Sequence, residues 1–552
     1  MSARRCIPIV VPLLAIWLAL SAGLAVASTQ TYAVSGVVLD SVSGQSLPGF
    51  AVTLTPDKGG SGQTVRTTND GRFSFPAVPP GKYILSGTGP GYRAQGLDQH
   101  DNYFTGIAVG PKLDATNIVF RMQPDASIRG QVLDEQNEPV RNATAQLFRV
   151  DEVNGLRRPT LMTNAGTDDQ GFYRFPHLGP GTYYVALSAR PWYAQYSPQF
   201  GSRNQPQLDA DTAARVQQEA AQLDVAYPLT FYPDADDSSQ ATAITLHPGE
   251  RFTADIVMRA VPAVHLKIHY DQARQGPGPT LMQRVFDGLL IPVFASQGYG
   301  YGQGVFEFGG LAPGHYTLEL QGGAADRSGG KSGWYRDIDL YGDMEISASD
   351  SPGMATVTGL VTYEGGPPSG REAANIELRN LETGDSWTDR VSDKGLFGLK
   401  DNELRPGTYQ AELYGPQDWV LTRIVAENAK VQGSQITVSA GASAKLACTA
   451  TRVSASVAGL VMRDDKPVAG AMVLLVPENG GSDKQRFRRD ESDSDGTFTL
   501  RQVIPGRYTA LAILNGWNLE WGDPAVLMPY LAKGEKVTIS ADKSPSITLQ
   551  VQ

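Results

Sequence analysis

One phrase recurs along the chain and limits what it can fold into. It reads DGRFSFPAVPPGKY at 70–83, QGFYRFPHLGPGTY at 170–183, QGVFEFGGLAPGHY at 303–316, KGLFGLKDNELRPGTY at 394–409 and DGTFTLRQVIPGRY at 495–508. Each part has a physical reading. The Asp-Gly or Gln-Gly pair opens a turn at which Gly takes positive φ. Phe73 and Phe75 alternate, so they share one face of a strand and enter a core. Pro80-Gly81 makes the next turn. Tyr83 starts the following strand, its ring buried and its hydroxyl reaching a backbone partner. The phrase is accounted for by folding, and it divides the chain into frames anchored at Tyr83, Tyr183, Tyr316, Tyr409 and Tyr508. Anchors roughly a hundred residues apart, with one longer interval before Tyr316, suit one small β-sandwich per frame.

A second phrase leads four of the frames: VSGVVLD at 34–40, IRGQVLD at 128–134, VTGLVTY at 357–363 and VAGLVMR at 457–463. Alternating apolar residues around a Gly predict a first strand, and a turn with Pro48, Pro139, Pro367 or Pro467 follows. The third frame is degenerate and opens with VHLKIHY at 264–270. The 60 Gly and 36 Pro fit many short strands joined by tight turns. One insertion, QLDADTAARVQQEAAQLD at 207–224, reads as a short amphipathic helix with Asp211 as its N-cap. The expected fold is all-β, a tandem array of about five Ig-like or transthyretin-like sandwiches. Their expected spans are 28–124, 125–260 with the helical insertion, 261–350, 351–451 and 452–552.

These phrases resemble the carboxypeptidase regulatory-like domains, also described as transthyretin-like or prealbumin-like modules. Four frames match that pattern and the third only in its second half. The resemblance implies non-catalytic accessory domains of secreted bacterial proteins, within a broader carbohydrate-binding-like fold. Fold membership alone does not establish ligand binding.

Residues 1–27 place Arg4 and Arg5 before a long apolar run that ends in Ala25-Val26-Ala27. This predicts a secretory signal cut before Ser28, and hence a secreted, periplasmic or cell-surface location. The alternative is an uncleaved anchor, since the run is about long enough to span a bilayer. No membrane span is expected after cleavage. A net charge of −10 without a basic stripe argues against a nucleic-acid partner. Cys448 is the only cysteine beyond the leader, so no internal disulfide is expected.

Several patterns suggest chemistry, and each has a plainer reading. Ala325-x-x-x-x-Gly330-Lys331-Ser332 is a relaxed phosphate-loop match, but the residues after it read as strand rather than helix. His247-x-x-Glu250 has the spacing of zinc carboxypeptidases, yet it sits in a turn between strands. His265 and His269 would lie about 13 Å apart on one strand face, too far to chelate one ion. DESDSDG at 490–496 is similar to a calcium loop but has Gln502 where the bidentate Glu belongs, and reads as an acidic turn. The recognisable first strands lack a Lys for isopeptide crosslinking. No catalytic residue, metal or cofactor is expected.

Aromatic loops are the remaining candidates. Tyr92, Trp192 and Trp517 each stand nine residues after a frame Tyr, and Trp419 stands ten after Tyr409. Trp334 lies in the corresponding loop of the third frame. Trp192, Tyr193 and Tyr196, and Trp517 with Trp521, exceed what one buried position requires. Such rings stack on sugars or anchor protein partners. The alternative is that they belong to the domains' own cores. The expected function is glycan binding through these loops, with a polysaccharide or an envelope protein as partner; the other reading is a structural or adhesive scaffold or spacer.

Overall fold

The computed structural model describes residues 30–194, 222–269, 278–293, 296–300, 304–320, 333–366, 374–398, 403–415, 418–478, 483–541 and 545–552. The expected leader, Tyr196, Ala325–Ser332 and all but the last three residues of the expected helix at 207–224 lie outside these residues.

Each frame builds the same two-sheet unit, so the all-β, tandem-sandwich expectation is met. In the first unit the strand Tyr32–Asp40 is the spine of one sheet. The aromatic strand Arg72–Val78 runs antiparallel on one side and the closing strand Ile118–Met122 runs parallel on the other. The same trio recurs in the other four units. Parallel pairing of first and last strands requires a crossover. The chain makes it through a second sheet, where Ala51–Pro56 pairs antiparallel with Gly81–Gly89. That pairing also recurs. Five separate clusters of buried apolar side chains fill the five sandwiches. Among the described residues no helix is long and apolar enough to cross a membrane.

The repeated residues earn their positions locally. Gly71, Gly171, Gly304, Gly395 and Gly496 all have φ between +66° and +80°, the turn conformation that disfavours a Cβ. Each frame Tyr donates its hydroxyl to the carbonyl four residues earlier, at 2.5–2.9 Å. The first-strand glycines have a different cause. Gly36, Gly130, Gly359 and Gly459 face Phe73, Tyr173, Phe397 and Phe498 of the phrase across the sheet. A Cβ on them would stand 2.0–2.7 Å from a carbonyl oxygen of the closing strand. The third unit puts Ile268 opposite Phe306 instead, which is why its first strand escapes the pattern.

A helix at Pro524–Leu531 in the last unit was not anticipated. Its signals were present: Asp523 caps Ala525 N and Pro524 occupies the first turn. Cys448 is buried in the fourth core, and burial pushes its thiol up to about 12.

The five sandwiches do not make an open string. The last unit packs on the first through Thr105–Glu491 and Arg501–Asp57, on the second through Arg489–Glu152, and on the fourth through Ser434–Asp483. The second and third share an apolar seam of Phe148, Phe231, Val285 and Ile291. Arg405 of the fourth pairs with Glu319 of the third at 2.8 Å. The chain therefore closes on itself, which an extended spacer does not do.

Candidate functional site at a three-domain junction

The structure separates the aromatic candidates by their surroundings. Trp192 is 83% exposed, and its ring meets Tyr193 edge-on at 5.7 Å. The Tyr193 hydroxyl donates to the Glu135 carboxylate. Trp334 is part of the third core and Trp419 packs edge-on against Tyr363 beside the fourth. Neither presents a free ring face in a loop. Tyr92 likewise packs on Phe50 and bonds Asp40. Trp517 and Trp521 are each only 8% exposed, although they are not part of the fifth unit's inter-sheet core. They pack on the outer face of their own unit, against Met472, Phe487, Leu511 and the helix residue Leu527, and other domains complete the cover.

Their part of the cover is the first unit's 98–105 loop and the second unit's hairpin of Thr144–Val153 and Leu156–Gly166. His100 stacks on Trp517 at 4.8 Å with 7° between the rings, and Tyr103 lies 5.4 Å away. Arg489 enters the same cluster, 4.7 Å from the Tyr103 ring, 5.8 Å from Trp517 and 5.5 Å from Trp521. Its Nη2 pairs with Glu152 of the second unit at 2.5 Å. Among the described residues Nε and Nη1 have no hydrogen-bond partner, and ring faces neighbour the rest of the guanidinium. Gly522 N donates to Gly155 O at 2.7 Å beside it.

The acidic run 490–496 has a role as well. It is the edge by which the fifth unit docks on the first. Glu491, 2% exposed, accepts from Thr105 at 2.6 Å and meets His100 at 3.2 Å. Asp493 pairs with Lys82, and Ser494 bonds Gly106 and Ala108 through its backbone and hydroxyl. Burial pushes neighbouring Asp490 up to about 6. This carboxyl's folded pKa lies above its unfolded value, so the folded state holds a proton that the unfolded chain has lost between about pH 4 and 6. Its effect on stability is unfavourable, absent below about pH 4 and complete above about pH 6. Asp490→Asn is expected to raise stability at pH 7 by roughly 2–3 kcal/mol and to flatten the pH 4–6 slope of unfolding curves. Asn can still accept from Thr499 N, which now donates to Asp490 at 2.7 Å. An unchanged slope would contradict the assignment.

Where the three units meet, a cleft of about 410 Å³ opens. Arg93, Gln95, Gln99, His100 and Gln123 come from the first unit, Arg149, Asp151, Glu152 and Arg157 from the second, and Trp517 and Asn518 from the fifth. Arg157 donates to Asn518 at 3.3 Å across the cleft wall. Arg149 pairs with Asp151 at 3.4 Å, while its Nε is buried without a hydrogen-bond partner among the described residues. Pro180-Gly181, the turn of the repeated phrase, forms part of the lining. Of the sequence candidates among the described residues, only Trp517 lines this cleft. The arginines and glutamines were missed because they come from different frames and show no spacing. One signal was legible: Gly179 is the sole Gly among the five residues that precede the Pro-Gly turn.

Comparison with known proteins gives one family. The carboxypeptidase regulatory-like domain model matches residues 33–122 and 127–217. No curated protein matches the chain. Among solved structures, the Bacillus anthracis TIE protein is 11% identical with a TM-score of 0.16, covering 91% of this chain and 66% of its own. The minor pilin GBS52 of Streptococcus agalactiae is 13% identical with a TM-score of 0.20, covering 42% and 97%. The shaft pilin SpaA of Lactobacillus rhamnosus GG is 10% identical with a TM-score of 0.20, covering 43% and 98%. At such scores nothing about this chain's activity follows from them. The carboxypeptidase regulatory-like match therefore falls on the first sandwich and on the first part of the second.

Proposed function

We propose that this chain is an exported, non-catalytic binding protein and that its ligand is a glycan held in the three-domain cleft. The observation that carries the reading is the cleft's lining. Arg, Gln, Asn and carboxylate side chains offer donors and acceptors in fixed pairs, which suit neighbouring sugar hydroxyls. His100 and the edge of Trp517 add an aromatic patch for the apolar side of a sugar ring. The volume lies within the range of small-molecule sites. Asp151 and Glu152 are already committed. Asp151 accepts from Thr160 at 2.8 Å and pairs with Arg149, and Glu152 accepts from Gly155 N at 2.7 Å and pairs with Arg489. That leaves them as parts of the frame rather than as an acid and a base.

Affinity electrophoresis of the full chain through polysaccharide gels tests this. Retardation is expected in at least one glycan, and Gln123→Ala combined with Asn518→Ala should abolish it. Retardation that survives those changes but vanishes in Trp192→Ala would move the site to the exposed loop. No retardation on any polysaccharide would sink the glycan reading. A second reading, an envelope scaffold with a protein partner, is favoured by Trp192, whose exposure suits a protein anchor better than a core.

A further inference from the structure

The cleft also carries a finer reading, which rests on the proposal that it binds a saccharide. We propose that it selects a sugar bearing a carboxylate, a uronate, and seats that group against Arg93 and Arg149 beside the Gly179-Pro180-Gly181 turn. Both side chains line the cleft from different domains. Both converge on one turn: a Cβ on Gly179 would lie 1.9 Å from Arg93 Nη1, and one on Gly181 would lie 3.5 Å from Arg149 Nε. Both also act on one hydroxyl. Burial pushes Tyr183 up, and Arg149 and Arg93 pull it back down.

The charge balance leaves this pair under-used. Glu152 is taken by Arg489, and Asp151 meets Arg149 only at Nη1. The guanidinium of Arg157 is bonded to neutral oxygens of Asn518 and Val150. Among the described residues Arg149 Nε is buried with no acceptor, while Arg93 presents its guanidinium exposed at the cleft. A buried guanidinium N–H without an acceptor is costly, and a planar carboxylate satisfies such a fork in pairs. The chain as a whole carries −10, so an anion here must be held by these local groups.

Gly179 supplies a clean test. The other four frames have Pro79, Ala312, Arg405 and Ile504 at its position, so the turn accepts a side chain. Gly179→Ala puts a methyl where Arg93 Nη1 now lies and moves the guanidinium without removing any side chain that lines the cleft. Affinity electrophoresis of the full chain would use polygalacturonate, its methyl ester, and dextran sulfate. Polygalacturonate should bind about tenfold or more tightly than the ester and more tightly than dextran sulfate. Gly179→Ala and Arg93→Gln should each reduce the acid-to-ester preference to near unity. The inference is overturned if the ester or dextran sulfate binds as well as the acid, or if the preference survives both changes. If no polysaccharide binds at all, the saccharide reading itself falls. If neutral glycans bind through the cleft without preference for the acid, only the uronate assignment does.

Discussion

Arg489→Ala is expected to destabilise the closed arrangement by about 3–5 kcal/mol, the cost of stranding a buried charge. Glu152 would keep its place in the junction, 13% exposed, with its guanidinium partner gone. Tyr103, Trp517 and Trp521 would lose the cation they surround. The change would not touch any inter-sheet core, because Arg489 lies outside all five. Three readouts separate junction from core. The unfolding transition followed by tryptophan fluorescence should shift to lower denaturant, while far-UV circular dichroism of the undenatured protein keeps its strand signal. Small-angle scattering should show a larger radius of gyration as the fifth unit leaves the first two. A shift worth under about 1 kcal/mol, within the range of an exposed ion pair, together with an unchanged radius, would mean that Arg489 does not hold the junction.

Gly130→Ala is expected to cost about 3 kcal/mol or more, at the upper end for overpacking. The new Cβ would stand 2.0 Å from the Ala254 carbonyl oxygen and 2.9 Å from the Tyr173 ring. That oxygen also accepts the Tyr173 hydroxyl at 2.5 Å, so the closing strand cannot retreat without breaking a buried hydrogen bond. Backbone is harder to displace than the end of a side chain. Gly166→Ala in the same unit meets nothing within 4 Å and has no positive φ, so it should change stability by less than about 0.5 kcal/mol. Equal midpoints for the two variants in chemical denaturation would remove close strand approach as the reason for the first-strand Gly.

Much of the fold was legible because its causes are local. The turn glycines, the alternating aromatics and the Tyr that bonds its i−4 carbonyl act within a few residues, so spacing alone exposes them. The first-strand Gly was legible as a mark but not as a cause, since its neighbour, the closing strand, is roughly eighty residues or more away in sequence. The helix at Pro524–Leu531 was missed because its apolar residues read equally well as a loop after NGWNLEW. The site was far less legible. Trp334 and Trp419 looked like loop aromatics but serve their own domains. Trp517 and Trp521, for which an exposed loop and a core place were both open, are buried in a second apolar cluster of their own unit that Tyr103 of the first unit joins.

The sequence by itself determined five sandwich frames and the residues that turn, fill and lock each one. Short-range sterics and strand periodicity decide those, and both repeat with the phrase. Only the tertiary structure decided which loops face water, which acidic turn becomes a docking edge, and where arginines from two domains meet. Those outcomes depend on how complete domains pack. Packing between domains is set by side chains far apart in the chain, which carry no common period.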